Sequence, residues 1–209
     1  MINLNKKGIK QYYDDTSSIW SDNWYKDTTM LPFLKEYKKM LKDNSKVLDL
    51  GCNCGYETRR MKELGLNPTG LDFSSKCIEI AKEKNKDIKF ICDDMLNDLS
   101  YLGKFDAVIA IASIIHISED KLELCFKRIY DILNDNGYLF IAVRSEEGKL
   151  DTSYQTINNI EYDREVYGYS KQLLESKMLD KFKYIKEVRS HSDKWKYYFY
   201  KKNEEVLYE

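Results

Sequence analysis

Val47-Leu48-Asp49-Leu50-Gly51-Cys52-Asn53-Cys54-Gly55 is the stretch that decides the fold. Its first four residues form a short apolar run that stops at a glycine, the pattern of a buried strand. Tyr56 to Leu64 then spaces Thr58, Met61 and Leu64 for one helical face. Strand, glycine-containing turn and helix thus follow one another without a gap. Gly51 and Gly55 let the backbone approach a ligand closely and leave the helix N-terminus free to face it. Asn53 stands between them, and Asn is the non-glycine residue that best tolerates positive φ.

Downstream the alternation repeats. Thr69 to Phe73 reads as a second strand, and Ser74 is placed to cap a helix that buries Cys77, Ile78 and Ala81. Ile88 to Cys92 reads as a third strand. Phe105 to Ile111 reads as a fourth, apolar nearly throughout, as expected for a strand covered on both faces. Leu122, Phe126, Ile129 and Leu133 mark a helix stripe that stops at Asn134-Asp135-Asn136-Gly137, and Tyr138 to Val143 is a fifth strand. Such alternation argues for an α/β fold, a parallel sheet with helices on both faces. Ser145 to Tyr169 is polar and tyrosine-rich and reads as a connection, followed by a short helix around Ser170 to Leu179. Phe182, Tyr184 and Val188 share one face, Trp195, Tyr197 and Phe199 another, and His191-Ser192-Asp193 joins them, so the two segments read as an antiparallel hairpin. Upstream, Gly8 to Leu41 reads as helical and aromatic, with Pro32 suited to a first turn.

Composition bounds the function. The chain has 209 residues and 43% hydrophobic side chains, enough for one domain with a sizeable core. Lys and Arg number 34 and Asp and Glu 35, so the overall field gives a strongly charged partner no help. No apolar run is long enough to span a membrane, and Met1 to Lys7 lacks the apolar run of a secretion signal, so the expected location is cytoplasmic. The five cysteines have no framework spacing. Cys52-x-Cys54 is too tight for a zinc pair and has no second pair, so no metal site is expected.

Three features converge on the carboxyl ends of the strands, where open α/β sheets bind ligands. One is the Asp49 to Gly55 loop. Another is Asp72, 21 positions beyond Gly51, where a carboxylate can accept hydrogen bonds from both hydroxyls of a ribose. The third is Cys92-Asp93-Asp94-Met95, whose carboxylate and apolar side chain can frame an adenine. Together they indicate an adenosine-containing ligand. A dinucleotide loop would read G-x-G-x-x-G to cradle a pyrophosphate; here Asp49 opposes a pyrophosphate and suits a cation such as a sulfonium.

On Val47 to Gly55, Leu71-Asp72-Phe73-Ser74, Cys92 to Met95, Phe105-Asp106-Ala107-Val108-Ile109, Ile114-Ile115-His116-Ile117 and Leu133 to Leu139, the chain resembles the class I S-adenosylmethionine-dependent methyltransferases, over roughly Tyr12 to Lys202. It looks closest to the small single-domain branch that acts on small molecules. The resemblance implies a Rossmann-like seven-stranded, mostly parallel sheet with a C-terminal antiparallel hairpin. It implies an N-terminal lid segment over 1–42 ahead of the S-adenosylmethionine-binding domain over 43–209. It also implies cofactor-binding roles: Asp49 and Gly51 flanking the methionine part, Asp72 at the ribose, Asp94 and Met95 at the adenine with Asp93 the alternative carboxylate, and Asn53, Gly55 and Phe73 within the same cofactor site. The Ile111 backbone would meet the amino-acid end. One departure is Asn53, where the family commonly has Gly.

His116, just past the fourth strand, is the candidate catalytic residue: it can take a proton from an acceptor, or be a satisfied, half-buried histidine. Tyr13 and Trp20, within an aromatic cluster that also holds Tyr12, Trp24 and Tyr25, are the expected lid contacts, since a sulfonium beside such rings gains cation–π attraction; the bland alternative is a packing helix. Tyr154, Tyr162, Tyr167 and Tyr169 either line the acceptor pocket or form a solvated connection. Basic residues alternating with aromatics from Lys171 to Lys202 read as a solvated hairpin face rather than a nucleic-acid surface. Ile111-Ala112-Ser113-Ile114 also stands where enzymes that methylate base amino groups carry Asn/Asp-Pro-Pro-aromatic.

The expected function is methyl transfer from S-adenosylmethionine, leaving S-adenosylhomocysteine, to a nitrogen or oxygen of a small-molecule acceptor. Alignment and water exclusion carry that reaction, because its leaving group is neutral. The rivals are a methyltransferase acting on a peptide, protein or RNA, a nucleotide-cofactor oxidoreductase, and a non-catalytic S-adenosylmethionine binder. The sequence carries no statement of oligomeric state.

Overall fold

The computed structural model describes residues 7–150, 154–157, 160–190 and 192–204, without the side chains of Trp20 and of 154–157. In chain order the elements are β1 (Lys7–Gly8), α1 (Ile9–Lys26), α2 (Leu31–Lys38), β2 (Lys46–Leu50), α3 (Tyr56–Glu63), β3 (Asn67–Asp72), α4 (Ser75–Lys84), β4 (Lys89–Cys92) and β5 (Phe105–Ile111). After these come α5 (Leu122–Ile132), β6 (Leu133–Arg144), β7 (Gly148–Leu150), β8 (Tyr154–Ile157), β9 (Ile160–Asp163), β10 (Val166–Gly168), α6 (Lys171–Met178), β11 (Phe182–Val188) and β12 (Trp195–Lys202).

Seven strands lie side by side in the main sheet in the order β11-β12-β6-β5-β2-β3-β4, and β7 and β10 bring it to nine among the described residues. β6, β5, β2, β3 and β4 run parallel, whereas β12 pairs antiparallel with both β6 and β11. The expected architecture is therefore present. Side chains alternate across it with period two. Leu48, Val108, Leu139 and Ile141 pack with Phe126 and Ile129 of α5 and Leu174 of α6 on one face. Val47, Ala107, Ile109 and Phe140 pack with Phe33, Leu34 and Tyr37 of α2 and Met61 of α3 on the other. β12 sends Tyr197 and Phe199 to the second face and Tyr198 and Tyr200 to the first, because it lies inside the sheet with both faces covered. Ser74 caps α4 by accepting from the Cys77 N–H, 3.1 Å away, and Cys77, Ile78 and Ala81 are buried as their spacing requires.

Two readings change. The connection after β6 contains four short strands. β7 pairs with β10, and β10 continues alongside the end of β6. β9 pairs with β8 and, in parallel, with β1 at the start of the described chain, giving a separate sheet of order β1-β9-β8. Polar, tyrosine-rich strands of three or four residues carry too little periodicity to stand out locally. The N-terminal segment also divides. α2 belongs to the core, where Leu34 and Tyr37 are wholly buried. α1 lies across α4 and β9 instead. No helix among the described residues is long and apolar enough to cross a membrane.

Candidate functional site

β2 leads to β3 on one side and is flanked by β5 on the other, so the strand order reverses between β2 and β5. A crevice opens there, at the carboxyl ends. The turns after these two strands touch: a Cβ on Gly51 would lie 2.3 Å from Ser113 Cβ. Gly51, Asn53 and Gly55 all take positive φ, at 82°, 49° and 84°, so Asn53 does adopt the left-handed conformation. Ala112, after β5, has φ 53°, a costly conformation for alanine, and such strain is held where the surroundings over-determine it. A cavity of about 930 Å³ occupies the crevice. α1 and the chain from β9 to β10 contribute to its walls.

Asp72 ends β3 with its carboxylate on the cavity wall. Oδ2 accepts from the Asn53 N–H at 2.8 Å and Oδ1 from the Ser74 N–H at 2.9 Å. Burial pushes its pKa up to about 6, against the pull of these two N–H groups. Phe73 follows it on the wall. After β4, Asp93 and Asp94 separate. Asp93 accepts from the Tyr101 hydroxyl, the Asn97 amide and the Asp94 N–H, and the Tyr101 bond foremost lowers its pKa. Asp94 uses Oδ1 on the Leu96 N–H, 2.9 Å away. Both carboxylates line the cavity, as do Met95 and Ile111.

Asp49 and Gly55 are not on the wall among the described lining residues. Asp49 shares the β2 face of Val47 and accepts from Thr58 Oγ1 of α3 at 2.6 Å; burial pushes its pKa up to about 7. A Cβ on Gly55 would sit 2.8 Å from the Phe90 ring, so close packing explains that glycine.

Next to Phe73, whose ring centroid lies 6.0 Å from that of Tyr13, stand residues far apart in sequence. Tyr13 Oη lies 2.8 Å from His116 Nε2. His116 Nδ1 lies 2.7 Å from the Glu165 carbonyl, which can only accept, so Nδ1 carries the proton and Nε2 accepts from the Tyr13 hydroxyl. Burial, reinforced by the Arg164 charge, lowers the His116 pKa to about 4, so the ring is neutral at pH 7. Arg164 Nη2 donates to Tyr13 Oη at 3.3 Å. Burial raises the Tyr13 pKa above the usual phenol value although Arg164 opposes it. His116 is thus both a satisfied, half-buried histidine and a cavity residue. Val166 also lines the cavity here, Tyr167 Oη donates to the Glu165 carboxylate, and Tyr162 Oη donates to Asp15 of α1.

α1 is fastened along its length. Asp14 accepts from Ser74 Oγ at 2.6 Å, and Tyr25 Oη donates to the Cys54 carbonyl at 2.8 Å. Trp24 stacks on Tyr56, centroids 5.9 Å apart, and both reach the cavity. Arg60, paired with buried Glu57, donates to the carbonyls of Trp24, Tyr25 and Asp27 at the end of α1. The side chains of Trp20 and Tyr154, and His191 altogether, lie outside the described residues. Sequence reading missed Ser113, Arg164 and Glu165, and named Trp24 only as part of the aromatic cluster. Only the aromatic cluster around Trp24 gave a signal, since short polar segments show no periodicity.

Residues 47–137 match a family model described as a methyltransferase domain. The ubiquinone biosynthesis O-methyltransferase of Pelagibacter ubique is 30% identical over 164 residues, 68% of this chain and 66% of that protein. The chain belongs to the class I S-adenosylmethionine-dependent methyltransferases. It spans 55% of the length of each of two further curated relatives of this methyltransferase family. Among solved structures, the 1,6-didemethyltoxoflavin N1-methyltransferase of Burkholderia thailandensis, with bound S-adenosylhomocysteine, superposes with a TM-score of 0.70 at 16% identity, covering 94% of this chain and 88% of that one. An S-adenosylmethionine-dependent methyltransferase from Clostridium acetobutylicum gives 0.68 at 17% identity, covering 93% and 98%. At these identities the likeness is one of fold, and it places this methyltransferase's sheet and helices in the family arrangement.

Proposed function

We propose that this chain transfers a methyl group from S-adenosylmethionine to a nitrogen or oxygen of a small-molecule acceptor. The observation that carries the reading is the single cavity joining Asp72 to the Tyr13–His116 pair under α1. About 930 Å³ lies within the ordinary range for small-molecule sites. Residues of α1 and of the β9–β10 segment wall this cavity, which suits an acceptor small enough to enter whole. The lysines of α6 and of the C-terminal hairpin support the same reading, because Lys171 and Lys177 of α6 pair with Glu175 and Glu119, and Lys186 and Lys196 of the hairpin with Glu36 and Glu187.

The wall suits S-adenosylmethionine. Asp72 retains lone pairs for two hydroxyls, Met95 offers an apolar face, and Ser113 Oγ is buried with no partner. When bound, S-adenosylmethionine supplies an electrophilic methyl group on a sulfonium that leaves as a neutral thioether. The chain's own part is then alignment and water exclusion. Asp72 orients the nucleoside, with Asp94 rather than the fully engaged Asp93 at its base. The Asp49 carboxylate holds α3 to β2 behind the loop. α1, acting as a lid over the cavity, keeps water out. Tyr13 faces the acceptor with its hydrogen given to His116 Nε2, so its oxygen accepts a proton from an acceptor N–H or O–H as its own passes to the imidazole. A rise in melting temperature with S-adenosylhomocysteine and none with NAD tests the cofactor. Methyl transfer from labelled S-adenosylmethionine to RNA or protein, but to no small molecule, would defeat the acceptor class.

A further inference from the structure

Arg164 is a cation of the cavity wall that the fold leaves without a counter-charge. It lies between β9 and β10, with its guanidinium carbon 5.1 Å from the Tyr12 ring centroid and 5.7 Å from that of Tyr13. Nη2 makes the long bond to Tyr13 Oη, and Nε is buried with no hydrogen-bond partner. The neighbouring cations differ. Arg144 meets Glu146 through two hydrogen bonds of 3.0 and 2.9 Å, and Lys149 meets Glu165; among the described residues Arg164 forms no ion pair. A guanidinium is a rigid fork of donors that matches a carboxylate or phosphate two bonds at a time, and its burial is favourable only when such a group completes it. The cavity's own carboxylates do not: Asp72 and Asp94 lie at the ends of β3 and β4 and accept backbone N–H groups there, Asp93 is held by Tyr101 and Asn97, and Glu165 pairs with Lys149 and accepts from the Tyr167 hydroxyl. Arg164 lies by β10, which pairs with β6 on the other side of β5. Lys10 and Lys121 add positive charge to the same cavity.

Resting on the methyl-transfer reading above, we propose that the acceptor carries an oxyanion, a carboxylate or a phosphate monoester, and that Arg164 binds it and so sets the methylated atom against the Tyr13–His116 pair. The arginine is then a specificity determinant, and a neutral analogue of the acceptor leaves its Nε unmatched.

The test uses acetate and inorganic phosphate as probes of protein saturated with S-adenosylhomocysteine. The readout is the Arg164 Nε–H resonance in nitrogen-15 spectra, assigned as the signal that R164Q lacks. For ions this small a dissociation constant of about 1 mM is expected. A saturable shift of this resonance with either ion supports the proposal when the accompanying shifts of other cavity signals are lost in R164Q and weakened in R164K; acetate alone points to a carboxylate, phosphate alone to a phosphate monoester. No saturable shift with either ion overturns it. A tenfold loss of S-adenosylhomocysteine affinity in R164Q also overturns it, because Arg164 would then hold the cofactor's own carboxylate. If the wild type fails to bind S-adenosylhomocysteine, the cofactor reading falls, while titration of the free protein still reports on Arg164.

Discussion

Tyr13 and His116, 103 residues apart in the chain, share a 2.8 Å hydrogen bond at the cavity wall. The Glu165 carbonyl fixes its direction by holding the proton on His116 Nδ1. With Glu165 the pair draws on three segments at once: α1, the turn after β5, and the link between β9 and β10. Moving any of them separates the atoms.

Tyr13→Phe removes the hydroxyl and keeps the ring. The expected result is a fall in kcat of about 10²-fold or more, the lower end for a lost acid–base group. Affinity for S-adenosylhomocysteine should change little. Steady-state kinetics beside calorimetry separates the two; unchanged kcat would leave Tyr13 as a packing residue.

His116 also sets a stability dependence on pH. Its pKa is about 4 in the fold and about 6.5 in an unfolded chain, so the unfolded state binds more protons between these values. The stabilisation is therefore complete above about pH 6.5 and is lost as pH falls toward 4. Melting temperatures of wild type and His116→Gln should diverge near neutrality and converge on acidification. Curves that stay parallel would refute the neutral ring.

Asp72→Asn keeps the shape but loses a carboxylate oxygen that accepts a backbone N–H. Hydrogen bonds to charged groups contribute about 1.5–3 kcal/mol each, so S-adenosylhomocysteine affinity should fall about tenfold or more. In the wild type the affinity should also weaken as pH falls through about 6, because the ionised form accepts from both hydroxyls. Calorimetry across pH checks both. An affinity indifferent to the substitution and to pH would remove Asp72 from the ribose.

Arg60 joins α3 to the last turn of α1. Its side chain is 8% exposed and its partner Glu57 7%, and burial pushes Glu57 up to about 7 despite the Arg60 charge. Arg60→Ala leaves a carboxylate buried alone and three α1 carbonyl contacts unmade, a cost of about 3–5 kcal/mol. Chemical denaturation measures it. Arg60→Ala with Glu57→Gln should recover part of the loss.

α1 should exchange its amide hydrogens faster without S-adenosylhomocysteine than with it. Most of its fastenings are polar side chains at a solvent-facing helix, such as Asp14 to Ser74 and Lys84 to Asp22. Equal protection in both states would make α1 a packing helix.

The sequence by itself determined the βαβ frame, the loop from Gly51 to Gly55, Asp72 at a strand end and the antiparallel hairpin. Each is written locally, as apolar period, turn chemistry or a cap, and Asn53 took its positive φ as its residue type allows. Tertiary structure alone decided the rest of the site. It turned Asp49 away beneath α3, engaged Asp93 within its own turn, and strained Ala112 beside Ser113. Pairing of β1 with β9 and of β10 with β6 brought Arg164 and Glu165 to Tyr13 and His116. Strands of two to four residues gain their stability from the partners they meet, not from their own pattern, so no local signal announces them.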